Sequence, residues 1–479
     1  MKKRFNKALS LFLATLMLMS CFAAGGSASH CATSPVMNRE QWDAYYEEVS
    51  GGFGLCELTP GSDESQMGFS WHSATSEAAP VINVSVNADM SEAEAFTGKS
   101  VAAQGSSQVN RVTADGLVAD TIYYYTYGTA DAQSQPEAFR TGNGDDFTFL
   151  YMGDVHVSAD DETDPDSLSN TAMLWSNTLS QILNRNSQID FVLSVGDQAS
   201  AGLGTEMEGL YAAPALRNIG IATIIGNHEK KAYEYGYYGN KPNEYSGVAS
   251  SFIGGDYWFR YGNTLFMALD STSGSGSDHY AFVKQAIADN PDVRWRVCTL
   301  HHDLYGGAYS DNSEMDLMRT YFDPIFNDFD IDLVLQGHSH YYGRTHGLLQ
   351  GRIAEDCTGL DSITDVNGTV FMVCGSVNRM HYDTYPATPS AVIAKNCVVH
   401  DILYTHINVV GDALSIKTYT LSDNTLVDDF TINKTAENTF DDADDPQVFT
   451  VFAGIVGTIY TIIDKIINIF RKMGIDFDF

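Results

Sequence analysis

Between residues 50 and 143 the chain alternates apolar and polar positions in short runs: "QMGFSWHS", "VINVSVNA", "QVNRVTADGL", "TIYYYTYGT" and "PEAFRTG". Period-two alternation broken by turn residues every ten positions or so predicts antiparallel strands with one buried face, hence an all-β sandwich. After "GNGDD" the grammar changes. Continuously apolar runs ("FTFLYMG", "IDFVLSVG", "IATIIG", "NTLFMALD", "RWRVCTLH", "IDLVLQG", "GTVFMVCGS") alternate with helical stretches such as "SNTAMLWSNTLSQILNRN" and "DHYAFVKQAIADN". Strands buried on both faces and separated by helices predict an α/β layered domain with parallel strands, here over 144–432. The stretch from 400 to 432 reads as hairpins that close it.

The two ends carry different signals. Residues 1–28 have a basic head, an apolar stretch and small residues, the layout of a secretory signal. Within it "LMSC" offers a second reading, a lipoprotein whose Cys21 is acylated. Either implies a secreted or cell-surface protein. Residues 29–49 form an N-terminal extension. Beyond 433 an acidic linker, "DDADDP", leads into "QVFTVFAGIVGTIYTIIDKIINIFRKMGIDFDF". Asp464 and Lys465 interrupt that segment short of the roughly 20 apolar residues a span needs. It reads as an amphipathic helix lying on a membrane surface or on the protein itself. A true anchor stopped by Arg471 and Lys472 is the alternative.

Composition narrows the function. At 479 residues, 44% hydrophobic and 12% aromatic, the chain builds packed cores and more than one domain. Its net charge is −34, and because residues 1–28 hold Lys2, Lys3, Arg4 and Lys7 but no acid, the remainder carries −38. So acidic a surface argues against nucleic-acid binding. An anionic substrate would need local positive charge to overrule this field, and a metal centre supplies it. None of Cys31, Cys56, Cys298, Cys357, Cys374 and Cys397 forms a CxxC pair. Cys31–Cys56 and Cys357–Cys397 are candidate disulfides, with buried free thiols the equal alternative.

The chemistry gathers at the strand ends, where loops of α/β sheets converge on one rim. "LYMGDVHV" ends in Asp154 and His156, "LSVGDQAS" in Asp197, and "TIIGNHEK" in Asn227, His228 and Glu229. "RVCTLHHDLY" ends in His301 and His302, and "LVLQGHSHYYGR" in His338 and His340. Any one of these is an ordinary turn; together they are not. Carboxylate, imidazole and amide oxygen suit borderline divalent or trivalent ions. Seven candidate ligands (Asp154, His156, Asp197, Asn227, His301, His338 and His340) are too many for one catalytic ion and suit two that share a bridge.

The ordered series GDxH, GD, GNHE, H, GHxH resembles the calcineurin-like metallophosphoesterase superfamily. "GHSHYYGRT", "HHDLY" and the preceding sandwich resemble its purple-acid-phosphatase-like branch, in which a fibronectin-III-like domain precedes the catalytic one; the resemblance covers residues 50–430. It implies mixed sheets flanked by helices and two metal ions per chain (Fe, Zn or Mn). Asp154, His156, Asp197 and His340 would hold the first ion, and Asp197, Asn227, His301 and His338 the second. His301 is preferred to His302 because it lies four residues before Tyr305, as in the family's HxPxY pattern. His228 would meet the substrate phosphate and stabilise the transition state or protonate the leaving group. Asn227, His302, Tyr305 and Arg344 would line the substrate. The implied activity is hydrolysis of phosphate monoesters on small phosphorylated substrates.

Two rivals stand beside it. One is a phosphodiesterase or nucleotidase whose Tyr- and Lys-rich stretch 228–247 holds a base or second phosphate, with Lys230 and Lys231 setting preference. The other is a surface-attached binding protein with an inactive metal site. One departure from the family matters: purple phosphatases carry a tyrosine three residues after the bridging aspartate, and here that residue is Ser200. Neither Tyr305 nor Tyr341 occupies the ligand position. The protein purified in its native, metal-loaded form should therefore show no intense visible charge-transfer band in its absorption spectrum.

Overall fold

The computed structural model describes residues 34–438 except 52–54, 77, 104, 145, 160–165, 232–233, 246–254, 306–312, 379–389 and 398. The leader, Cys21, Cys31 and the apolar C-terminal segment lie outside the described residues. Helix α1 (Arg39–Val49) opens the structure on a capping box: Asn38 Oδ1 accepts from Gln41 N at 3.0 Å, and Asn38 N donates to Gln41 Oε1 at 3.0 Å. Its one fully buried side chain, Trp42, donates Nε1–H to Ser169 Oγ at 3.0 Å. The extension is thus tied to the second, α/β part of the chain.

Nine strands follow: β1 (Cys56–Pro60), β2 (Met67–Ala74), β3 (Pro80–Ser85), β4 (Glu94–Thr97), β5 (Lys99–Ala102), β6 (Ser107–Ala114), β7 (Ile122–Thr129), β8 (Ala132–Gln133) and β9 (Glu137–Arg140). They form two antiparallel sheets, β1-β2-β6-β5 and β4-β3-β7-β8 with β9 on β7. Phe69, Trp71, Ile82, Val112, Tyr125 and Phe139 fill the core between them. The alternation in the sequence is this inside–outside pattern.

The second part is built on β10 (Asp146–Met152), α2 (Ser167–Arg185), β11 (Ile189–Ser194), α3 (Gly204–Tyr211), β12 (Gly220–Thr223), β13 (Tyr257–Tyr261), β14 (Thr264–Ala268), α4 (Gly276–Asp289), β15 (Trp295–Thr299), α5 (Ser313–Asp328) and β16 (Leu333–Gln336). It continues through β17 (Tyr342–Thr345), β18 (Gly347–Leu349), β19 (Arg352–Glu355), β20 (Ser362–Thr364), β21 (Val370–Val373), β22 (Ile393–Cys397), β23 (Leu403–Val410), β24 (Ala413–Thr420) and β25 (Leu426–Asn433). Two seven-stranded sheets result, β12-β11-β10-β23-β24-β25-β20 and β13-β14-β15-β16-β21-β17-β22. The pairs β10–β11–β12 and β14–β15–β16 run parallel, as expected; β10–β23 and β13–β14 run antiparallel, so the sheets are mixed.

Each central strand is buried on both faces, which is why the runs read as continuously apolar. In β10, Phe147, Phe149 and Tyr151 face the other sheet while Leu150 and Met152 face α2. In β14, Phe266 faces inward and Leu265 and Met267 face α4 and α5. Phe149 stacks on Phe191 at 5.2 Å between ring centres and meets Phe266 edge-on at 5.2 Å, so rings from both sheets interlock.

The cysteines resolve toward free thiols. Cys56, Cys298, Cys357 and Cys374 are buried free thiols and Cys397 is a half-buried one, so the candidate Cys357–Cys397 bridge is not formed; Cys31, the candidate partner of Cys56, lies outside the described residues. Burial raises the thiol pKa of Cys56, Cys298 and Cys374. Among the described residues no helix is long and apolar enough to cross a membrane. Dithiothreitol should leave the thermal midpoint of the purified protein unchanged; a fall of several degrees would reveal a bridge.

Candidate metal centre

Five of the parallel strands end on one rim, and their next few residues converge. β10 delivers Asp154 and His156, β11 Asp197, β12 Asn227 and His228, β15 His301, and β16 His338 and His340. Ligand atoms of Asp154, His156, Asp197 and His340 all lie within 4.8 Å of one another, as do those of Asp197, His301 and His338. Asp197 belongs to both groups. Asn227 joins the second, its Oδ1 3.0 Å from His301 Nε2 and 3.1 Å from His338 Nδ1. All seven expected ligands are therefore brought together.

The backbone bends to do this. Among the described residues thirteen non-glycine positions have positive φ, and five are Asp154 (51°), His156 (49°), Asp197 (50°), His338 (73°) and His340 (59°). Each such residue costs of order 1–3 kcal/mol and persists only where its surroundings hold it. The glycines before the ligands leave room for the opposite loop. A Cβ on Gly226 would overlap Asp197 Oδ1, one on Gly196 would overlap His301 Nδ1, and one on Gly337 would lie 2.5 Å from Asp154 Oδ2.

Proton states follow from burial and hydrogen bonds. His301 donates Nδ1–H to Val195 O at 2.8 Å, which points Nε2 toward Asn227 Oδ1 and toward Asp197 Oδ2, 3.2 Å away. Burial works against charge on His301, yet Asp197 raises it to about 10, so a cation would have to displace its proton. Burial lowers His156 to about 3 against the pull of Asp197 and Asp154, and burial together with His301 lowers His338 to about 4; both are neutral, ligand-competent imidazoles. Asp197 is buried, but His301, His228 and His156 hold it well below the usual carboxylate range. His156 Nδ1 is buried without a hydrogen-bond partner, while its Nε2 stands 3.1 Å from His340 Nε2 and 3.8 Å from Asp197 Oδ2. Lone pairs of nitrogen and carboxylate oxygen so close together fit a cation between them, and the donor set fits two.

His228 stands apart. Its Nδ1–H donates to Ser200 O, its ring meets His156 edge-on at 4.8 Å, and Nε2 faces Asp197 Oδ2 at 3.8 Å. At 18% side-chain exposure it is the open edge of the cluster. His302 lies one layer behind. It is buried, bonded through Nδ1 to Ser271 Oγ at 2.8 Å, and its ring sits 4.9 Å from that of His338.

Two expected substrate residues are engaged elsewhere. Tyr305 donates its hydroxyl to Asp323 Oδ2 at 2.5 Å, and its ring packs on Phe371 beneath Arg319, in the core under α5. Arg344 is buried in β17, bonded to Asp428 at 2.7 and 3.2 Å with Phe430 beneath its guanidinium. Within the Tyr- and Lys-rich stretch, Lys230 Nζ donates to Thr272 O at 2.8 Å, Lys241 Nζ to Tyr238 O at 2.9 Å, and Tyr235 and Tyr238 are buried.

Sequence reasoning missed the props behind the ligands. Glu229 Oε2 accepts from Asp197 N (2.9 Å) and Gly226 N (2.8 Å), and Oε1 from Ala199 N (2.9 Å); burial and then Asp197 push it up to about 8. Glu206 accepts from Ala159 N at 3.0 Å and Ala201 N at 2.8 Å, joining the loops after β10 and β11. Ser376 Oγ donates to Asp154 O at 2.7 Å and Asn378 Nδ2 to Val155 O at 2.6 Å. The signal available for Glu229 was its place in GNHE; the others have none.

Comparison with known proteins agrees with this geometry. Residues 147–342 match the family described as calcineurin-like phosphoesterase, and residues 56–141 match the purple acid phosphatase N-terminal domain. An uncharacterized protein of Mycobacterium tuberculosis is 30% identical over 112 residues, 21% of each chain. Purple acid phosphatase 23 of Arabidopsis thaliana is 23% identical over 281 residues, 50% of this chain and 58% of that one. Both matches thus span well under two thirds of the relative's length. The structure of purple acid phosphatase PPD1 from Lupinus luteus superimposes with a TM-score of 0.62 at 17% identity, covering 79% of this chain and 74% of that one; it shares the fold.

A methyl group placed at Gly337 tests the convergence. Gly337→Ala presses on Asp154, and overpacking of about 1–3 kcal/mol borne by the site corresponds to metal binding weaker by roughly 5- to 150-fold. Titration of the metal-free protein reads the effect directly, and affinity equal to wild type would show that the loops yield freely.

Proposed function

Because the chain carries a calcineurin-like phosphoesterase domain behind a purple acid phosphatase N-terminal domain, we propose that it is a dinuclear-metal phosphomonoesterase. The observation that carries this reading is the sharing of Asp197 between two donor groups with His228 at their open edge. Asp154, His156, Asp197 and His340 would hold one ion, and Asp197, Asn227, His301 and His338 the other. When bound, the pair would supply an acidified water as nucleophile and positive charge for the phosphate oxygens, against a chain of net charge −34.

The protein's own groups do the rest. Hydrogen-bonded through Nδ1 to Ser200 O, His228 keeps Nε2 turned to the cluster, where it can hold a proton for the leaving oxygen. His301 Nε2 and His338 Nδ1 stand 3.0 and 3.1 Å from the amide oxygen of Asn227, so the three donor atoms face one point. Glu229 keeps the β11 and β12 loops in register, so that Asp197 and Asn227 approach from fixed directions. No nucleophilic side chain is used, so no phosphoenzyme forms. The diesterase reading draws less support, since in its stretch Lys241, Tyr235 and Tyr238 are packed away and Lys230 is bonded to Thr272.

Elemental analysis of the native protein, paired with p-nitrophenyl phosphate hydrolysis, tests the reading. Wild type should carry about two transition-metal ions per chain. His338→Ala should lose metal and activity together, whereas His228→Ala should keep its metal and lose about a hundredfold in kcat. Less than one ion per chain, or turnover indifferent to His338→Ala, would sink the hydrolase and favour a binding protein with a silent site.

A further inference from the structure

The segment that follows GNHE does not end at the rim. Residues 234–243 lie between the N-terminal sandwich and the loops that carry Ser200 and His228. On the sandwich side, Glu57 Oε2 accepts from Gly239 N at 2.6 Å and from Ser70 Oγ at 2.5 Å. Arg111 Nη2 donates to Gly236 O at 2.6 Å. Asn240 Nδ2 donates to Val112 O and Thr113 Oγ1, both at 3.0 Å. On the catalytic side, Tyr235 donates its hydroxyl to Thr223 O, the last residue of β12, at 2.9 Å, and Tyr238 donates to Gly204 O at 2.9 Å. Thr223 stands five residues before His228, and Gly204 four residues after Ser200, whose carbonyl receives the His228 proton.

Resting on the phosphomonoesterase reading, we infer that the sandwich is a clamp for the reaction: through Glu57 and through the Val112 and Thr113 oxygens that Asn240 reaches, it seats segment 234–243, and Tyr235 and Tyr238 transmit that seating to the two loops that aim His228. Glu57 is then a positioning residue, remote from substrate. Its chemistry suits the task. It is 2% exposed, and burial holds its carboxyl up to about 7 even with Ser70 and Gly239 donating to it. An apolar replacement would leave the Gly239 N–H buried without an acceptor, a loss that reshapes the turn. Glutamine keeps the acceptor.

The experiment compares full-length wild type, Glu57→Leu, Glu57→Gln and Asn240→Ala in p-nitrophenyl phosphate hydrolysis, with metal content measured on each. In Glu57→Leu kcat should fall about tenfold while KM and the metal content hold, and Glu57→Gln should restore kcat to within about twofold. Unchanged kcat in folded Glu57→Leu overturns the clamp, and so does parallel loss of metal, which marks a general structural defect. Should Glu57→Leu fail to fold, Asn240→Ala decides: a fall in kcat alone supports the clamp and unchanged kcat overturns it. An inactive wild type sinks the hydrolase reading instead. The clamp is then judged by the His228 imidazole resonance of metal-free protein, which must differ between wild type and Glu57→Leu.

Discussion

Two carboxylates and four imidazoles within van der Waals reach of one another repel unless something charged lies between them or a proton is shared. Asp197 lives under this constraint most severely. It is 1% exposed and faces His156, His228 and His301 at 3.8, 3.8 and 3.2 Å. Its other oxygen accepts from the His228 backbone N–H at 2.9 Å, and its own N–H is held by Glu229. Ionised carboxylate in so dry a place costs several kcal/mol unless it is paired. The rim is built to meet that cost, and the arrangement of strands, turns and second-layer groups follows from it.

The turns illustrate the point. A strand leaving a sheet in extended conformation carries successive side chains to opposite faces, so it can offer the rim only every second residue. Left-handed backbone at Asp154, His156, Asp197, His338 and His340 breaks that rule and turns each side chain into the centre. Such turns relax if unsupported. Here Ser376 and Asn378 hold the carbonyls of Asp154 and Val155, and Ser339 Oγ is anchored on Asp303 Oδ2 at 2.5 Å. The buried pair of His279 with Asp256, 2.6 Å apart, stiffens the loop at 270–273 that carries Ser271, the partner of His302.

What could be read in the chain was what is local. The GD, GNHE and GHSH runs abut their own apolar strands, so motif and position are legible together, and the two-faced strands announce themselves as unbroken apolar runs. Tyr305 and Arg344 were misplaced because nearness to His301 and His340 along the chain is not nearness in space. Arg344 has already left the rim down β17, and its partner Asp428 lies 84 residues away. Tyr305 turns under α5 to an aspartate 18 residues on. Glu206, Ser376 and Asn378 act through backbone groups of other loops, and nothing in their own neighbourhoods marks them. The helix at 39–49 could have been read, since Asn38 and Gln41 spell a capping box.

The donor set is divided between the two sheets: Asp154, His156, Asp197, Asn227 and His228 come from one, His301, His338 and His340 from the other. The distance across the set therefore depends on what fills the space beneath it, the interlocked rings of Phe149, Phe191 and Phe266 among it. Those phenylalanines act as a gauge block. A thinner side chain there would let the halves draw together, so the spacing of the donors is written partly in hydrocarbon, well below any residue of the rim.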